Sequence, residues 1–231
     1  MSKKKPESHK ENNKVSKFLK DLWGFMWNST SVYSLIFDLI VIFVLIKFIA
    51  YPVIGVAFQT SHPIVAVVSG SMEHHPDKYG ICGVTDPIQL ENYIENYTNW
   101  WEYCGYWYLK DNISKSEFKS FSISSGLNIG DIVFLHGMPA KDIKVGDIIV
   151  FNSQRLGEPI IHRVVKKSII NGSYFFQTKG DNNPASIANV EFNIPAKHIV
   201  GVAAFKIPYL GYVKVLSMDF VNYFKPKTIN D

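Results

Sequence analysis

Residues 159–183 read PIIHRVVKKSIINGSYFFQTKGDNN. Two runs rich in β-branched and aromatic residues flank Asn171-Gly172, the dipeptide that most strongly favours a two-residue hairpin turn. With the turn at 171/172, opposed residues have numbers summing to 343, which sets His162 against Asp181. Directly opposed Cβ atoms lie about 4.5–5.5 Å apart. An imidazole and a carboxylate can hydrogen-bond at that range, fixing the tautomer and supporting the imidazolium. A single bulge breaks this register, and a surface cross-strand ion pair is the alternative reading of the two residues.

Working outward, further short β-type runs appear. Ile64–Val68 is IVAVV, while Ile129–Leu135 (IGDIVFL) and Val145–Phe151 (VGDIIVF) echo each other sixteen residues apart. Both echoes carry Gly-Asp before a buried apolar run, a turn signal that starts a strand. Residues 159–168, 173–178, 198–205 and 211–216 complete the set. Strands at this spacing predict a mainly β, antiparallel domain. Residues 74–128 differ: polar, aromatic and helical in part (TNWWEYCGYWYLKDN), they read as an insertion.

Upstream, residues 33–58 (YSLIFDLIVIFVLIKFIAYPVIGVAF) carry only Asp38 and Lys47 as charges, and 39–58 is 20 residues with one Lys. That is the length that spans about 30 Å of hydrocarbon. A buried helix of a soluble protein and a cleaved signal peptide are the competing readings. The apolar run is too long for the latter and no small-x-small site follows it. Residues 1–20 hold seven Lys and two Glu, whereas the rest of the chain is nearly neutral; the formal net charge of +4 therefore describes a tail. No basic folded face is implied, which excludes a nucleic-acid-binding body. The positive-inside rule puts the N-terminus in the cytoplasm and the body outside. Residues 16–27, with Trp23 and Trp27, read as an interfacial helix. The expected organisation is a Lys-rich tail at 1–32, an anchor at 33–58 and an extracytoplasmic domain at 59–231.

Residues 67–75 are VVSGSMEHH. A Ser at the end of a buried strand is held rigidly, and its N–H can face a substrate carbonyl. Ser-Gly-Ser alone is equally an ordinary turn. Of the seven His, His162 alone has an orienting partner in sequence. His74-His75 has no third ligand spaced for a metal, so neither a metal nor another cofactor is expected.

SGSM after a strand, then GDIIVF, HRVV and TKGDNN, in that order behind an N-terminal anchor, resembles type I signal peptidase. The likeness is to the archaeal and endoplasmic-reticulum branch, in which His stands where the bacterial branch has a catalytic Lys. It covers about residues 60–73 and 129–216. The resemblance implies Ser71 as nucleophile, His162 as general base and Asp181 as its orienting acid. It implies an oxyanion hole from the Ser69 hydroxyl and the Ser71 N–H. It further implies a signal-peptide substrate bound as an added β-strand near the bilayer surface, beside Val67, Val68 and Met72, with small residues selected next to the cut. Met72 reads equally as core packing. Accessory subunits are undetermined. The alternative is a non-catalytic membrane-anchored β module that binds secreted chains.

Two departures stand out. The family usually has Pro after the Glu of SGSME, where this chain has His74. A second Asp commonly follows the first by five or six residues; here those positions are Ser186 and Ile187. Either Asp181 serves alone or another acid such as Glu191 reaches in. Cys82 and Cys104 both fall in the insertion, as an outer-side disulfide or as two separate buried thiols. Asn96, Asn112 and Asn171 head N-x-S/T sequons, the last of them occupied with its turn.

Overall fold

The computed structural model describes residues 32–76, 80–86, 100–153 and 155–212, with a few isolated positions between 14 and 24. The tail, the interfacial segment with Trp23 and Trp27, the Asn96 sequon and residues 213–216 of the last expected strand lie outside the described residues. The chain divides into two compact units, Met1–Ile54 and Gly55–Asp231.

The apolar run forms one helical stretch, Val32–Ala57, long and apolar enough to cross a membrane. It comprises α1 (Val32–Leu45), a π-helical turn (Ile46–Ala50) and α2 (Tyr51–Ala57). The wide turn has a local cause. Pro52 has no N–H to offer the carbonyl four residues back. The Tyr51 N–H reaches five residues back, to the Ile46 carbonyl, which is the π-bulge solution to an interrupted ladder. The Lys47 ammonium sits 5.6 and 5.4 Å from the ring centres of Phe43 and Phe48. These rings offer the cation an electrostatic partner inside an otherwise apolar helix.

The second unit is built on a seven-stranded antiparallel sheet in the order β1-β2-β7-β3-β4-β5-β6. The strands are β1 (Ile64–Ala66), β2 (Ile132–His136), β3 (Ile148–Asn152), β4 (Pro159–Ile170), β5 (Ser173–Lys179), β6 (Ile194–Pro195) and β7 (Ile199–Ile207). The two echoed runs become β2 and β3. The side chains of Asp131 and Asp147 accept the N–H of Asn128 and Lys144, three residues before each. The Gly-Asp signals are therefore turn chemistry, as their sequence predicts. Residues 211–212 form a turn, and the two-residue β6 had no sequence signal.

Both faces of the sheet's centre are covered. On β3, Ile148 and Val150 pack with Val67, Met72, Leu127 and Val133. Ile149 and Phe151, pointing the other way, pack with Ile143, Val164, Phe176 and Val202. A third cluster joins residues of the segment 74–128 to Val165 of β4. The segment's helices α3 (Trp100–Lys110) and α4 (Lys115–Ser120) bury Trp100, Trp101, Tyr108 and Phe118 with Ile81. Ser114 caps α4, its side chain accepting the Glu117 N–H. A disulfide joins Cys82 to Cys104.

The β4–β5 hairpin turns at Asn171 (φ 50°) and Gly172 (φ 76°), the left-handed pair of a type I′ turn. A Cβ at Gly172 would meet nothing within 4 Å, so its cost is purely conformational. Gly172→Ala should therefore lower unfolding stability by about 1 kcal/mol in urea titration, with the urea dependence unchanged. No loss would mean the turn relaxes to another type.

Candidate active site

β1 carries the chain past the buried Val67 to Ser69, and a single 3-10 turn, Gly70–Met72, follows. Such a turn leaves its first N–H groups without partners inside it. Ser71 lies in this turn, partly exposed. Its Oγ is 2.9 Å from His162 Nε2 and 3.3 Å from Ser69 Oγ. Asn182 fastens the turn from behind: its N–H donates to the Ser71 carbonyl at 2.8 Å and its side-chain amide to the Gly70 carbonyl at 3.3 Å. Gly180 completes the packing. A Cβ there would lie 2.7 Å from the Ser71 carbonyl oxygen and 2.8 Å from His162 Nε2. Only glycine permits this approach.

His162, on β4, is 4% exposed. Its Nδ1 lies 2.5 Å from Glu191 Oε1. Glu191 is fully buried and held by two further donors. The Thr178 hydroxyl donates to Oε1 at 2.9 Å and the Ile187 N–H to Oε2 at 2.7 Å. Ser71, His162 and Glu191 thus form a continuous hydrogen-bonded chain of hydroxyl, imidazole and carboxylate.

The expected His162–Asp181 pair is corrected here. Near the turn the hairpin follows the expected register, with Ile170 opposite Ser173 and Lys166 opposite Gln177. A bulge between Val164 and Lys166 then shifts the ladder, so that Val164 faces Thr178 and Arg163 faces Lys179. The shift deprives His162 of Asp181. Arg163 takes the carboxylate instead, with Nε and Nη2 at 2.9 and 2.6 Å from its two oxygens. Tyr108 Oη donates to Oδ1 at 2.8 Å, and His74 Nε2 lies 2.9 Å from Oδ2. Burial alone would raise the Asp181 carboxyl. The Arg163 guanidinium, with the hydrogen bonds from His74 and Arg163, overrides it and holds the group well below the usual carboxylate range. Asp181 therefore stays ionised, and the Tyr108 phenol is held well above its ordinary value by burial and by that carboxylate.

A cleft of about 1100 Å³ opens over Ser71, walled by β1 with Val67 and Val68, by Ile160 and His162 of β4, and by Ile187. Among the described residues β1 is an edge strand, paired only with β2. Residues 159–162 of β4 pair with β3, whereas β5 joins only from Arg163 onward. Val68 is 48% exposed on the cleft wall. Met72 is not on it: fully buried, it packs in the core, and its Sδ accepts the Asp181 N–H at 3.3 Å.

Lys179 is a buried cation that the sequence did not single out. It is fully buried, donates to the Gly180 and Asp181 carbonyls, and lies over the Trp107 and Tyr108 rings. Burial brings its ammonium down to about 8, despite the attraction of the Asp181 and Glu191 carboxylates. An unfolded lysine titrates near about 10.4. Between these values unfolding takes up a proton, so this group makes stability rise with pH. Below about 8 its full penalty, on the order of 3 kcal/mol, stands. The unfolding free energy of wild type minus Lys179→Met should accordingly climb by up to about 3 kcal/mol from pH 8 to about pH 10. A flat difference in urea titrations would show an unperturbed lysine.

No family model matches the chain. Over 109 residues it is 32% identical to the signal peptidase complex catalytic subunit SEC11C of Homo sapiens, and equally to that of Canis lupus familiaris, covering 45% of this chain and 57% of each relative. It is 32% identical over 111 residues to the signal peptidase complex catalytic subunit SEC11 of Candida tropicalis, covering 46% of this chain and 66% of the relative. The match thus spans a little under two thirds of the curated relatives' length or less. These similarities bear out the family resemblance that the ordered motifs carry.

Proposed function

We propose that this chain is a membrane-anchored serine endopeptidase that removes signal peptides from preproteins. The observation that carries the reading is the Ser71–His162–Glu191 hydrogen-bonded chain at an apolar cleft beside β1, which is an edge strand among the described residues. A preprotein segment adds to that edge as an extended strand, its main chain pairing and its side chains meeting Val67 and Val68. The apolar wall suits small uncharged residues next to the cut.

In this reading His162 Nε2 takes the Ser71 proton as Oγ attacks the scissile carbonyl carbon. The Glu191 carboxylate holds the Nδ1–H tautomer and offsets the charge of the imidazolium. The developing oxyanion is received by the Ser71 N–H and the Ser69 hydroxyl. The imidazolium then protonates the departing amine, leaving an acyl-enzyme on Ser71. Water, activated by the same His162, hydrolyses the ester and releases the free acid.

The apolar stretch Val32–Ala57 serves as the anchor. With the Lys-rich residues 1–20 held on the cytoplasmic side, the domain from about residue 59 faces outward. The relatives are named as catalytic subunits of a complex, so accessory subunits belong to the same proposal. Residues 74–128 form an insertion within the peptidase domain.

The test is cleavage of a preprotein by the purified chain in detergent. Ser71→Ala and His162→Ala should leave no cleavage above background, with the domain still folded at the assay temperature. Glu191→Gln should keep the fold and lower kcat by roughly 10³-fold. Asp181→Asn should instead act on the fold, because it leaves the buried Arg163 cation under-compensated, at about 3–5 kcal/mol. Full activity in Ser71→Ala would end the assignment, and near-normal activity in Glu191→Gln would place the acid elsewhere. Binding of preprotein without cleavage by wild type would favour a non-catalytic module.

A further inference from the structure

We infer that the insertion is a positioning element of the catalytic serine, closed around Asp181-Asn182 by the Cys82–Cys104 disulfide, so that reducing this one bond lowers turnover. The inference rests on the reading of Ser71 as nucleophile.

The turn that presents Ser71 depends on two residues behind it. Asn182 holds the Gly70 and Ser71 carbonyls, and the Asp181 N–H donates to Met72 Sδ. The insertion grips the same two residues from the far side, through three segments. The Cys82 N–H donates to the Asn182 backbone carbonyl at 3.0 Å and also meets its side-chain oxygen at 3.3 Å. Tyr108 Oη donates to Asp181 Oδ1. His74 Nε2 faces Oδ2, and its ring stacks on Trp100 with centroids 3.9 Å apart and planes 4° off parallel. Because Asp181 is ionised, Tyr108 and His74 both donate to it.

The disulfide ties the gripping segments to one another. Cys82 bonds to Cys104, which lies in α3 one helical turn before Tyr108. The Asn182 contact and the Asp181 contact thus sit at the two ends of one covalent link. When the bond opens, the segment around Cys82 is freed from α3 and the entropy of closing the intervening loop opposes the grip. Among the described residues none of the sheet's strands belongs to the insertion, which meets the sheet through Val165 of β4. The buried Arg163 and Lys179 still face Asp181 from β4 and β5. Reduction is therefore expected to loosen the nucleophile turn without unfolding the domain. The chain has only two Cys, so any effect of reductant reports on this pair.

The experiment uses the full chain in detergent with a preprotein substrate. Cleavage by the oxidised wild type, lost in Ser71→Ala, first establishes the underlying reading; its absence would sink that reading and this inference with it, whereas the outcomes below overturn the inference alone. Reduced wild type and the Cys82→Ser/Cys104→Ser variant should then both show about a tenfold lower kcat at nearly constant KM. The variant should no longer respond to dithiothreitol, and Tyr108→Phe should lower kcat in the same sense while oxidised. Far-ultraviolet circular dichroism and melting temperature, read in the same samples, should keep the domain folded at the assay temperature. A reduced wild type with kcat within twofold of the oxidised form would overturn the inference. So would a loss that appears only as the domain unfolds, because the insertion would then be a stabiliser alone.

Discussion

The Arg163–Asp181 pair is the constraint on which the rest of the molecule depends. Both residues are fully buried, and neither charge would survive there alone. What makes the pair tolerable is the number of donors and acceptors around it. Arg163 also donates to the carbonyls of Ser122, Ile123 and Gly146, while Asp181 also accepts from Tyr108 and His74. One ion pair thus binds β4, the loop after β5, the turn before β3 and the insertion to one point. His162 is the residue before Arg163. On a strand, adjacent side chains point to opposite faces, so fixing the arginine downward aims the imidazole at the cleft.

That geometry separates two jobs that a single carboxylate had been expected to do. Asp181 is an architectural acid, locked in its ionised form under the arginine. Glu191 is the acid on the histidine. Its side chain comes from an irregular segment rather than a strand, and Thr178 and the Ile187 N–H hold both its oxygens. Those donors are what a buried carboxylate needs to remain in place beside an imidazole. The positions where a second Asp commonly stands, Ser186 and Ile187, are reused. The Ser186 hydroxyl donates to the Thr178 carbonyl, and Ile187 supplies the N–H.

Much of this was legible in the sequence because the signals were local. Asn171-Gly172 marked the hairpin, the two Gly-Asp echoes marked β2 and β3, and the apolar run marked the helix at Val32–Ala57. Ser71 and His162 were legible as well, and they meet. The third member was not, since it turned on the bulge between Val164 and Lys166. No Gly or Pro announces that bulge; two valines and a lysine read as unbroken strand. A register inferred from a turn is sound near the turn and loses meaning past the first bulge. Glu191 was visible only as a spare acid. No ladder runs through 180–193 to count along, and tertiary contacts alone bring it to His162. Met72 failed as a wall residue for a related reason: a 3-10 turn rotates side chains by thirds, so Ser71 facing the cleft sends its neighbour into the core.

The insertion follows from the same economy of contacts. A long loop after Ser71 would ordinarily be free to vary. Here its aromatic core would be a small hydrophobic island, too small to hold a fold by itself. A disulfide and a ring stack tie it internally, and it is attached to the rest of the domain by Val165 of β4, by Arg163 and Lys179 over its rings and by hydrogen bonds to Asp181 and Asn182. His74 stands where the family usually carries proline, and a proline could make neither the Trp100 stack nor the Asp181 contact. The residue at which the chain departs from the family pattern is thus one of the contacts that hold the segment in place. The residue that breaks the motif is the first residue of the segment that the broken motif secures.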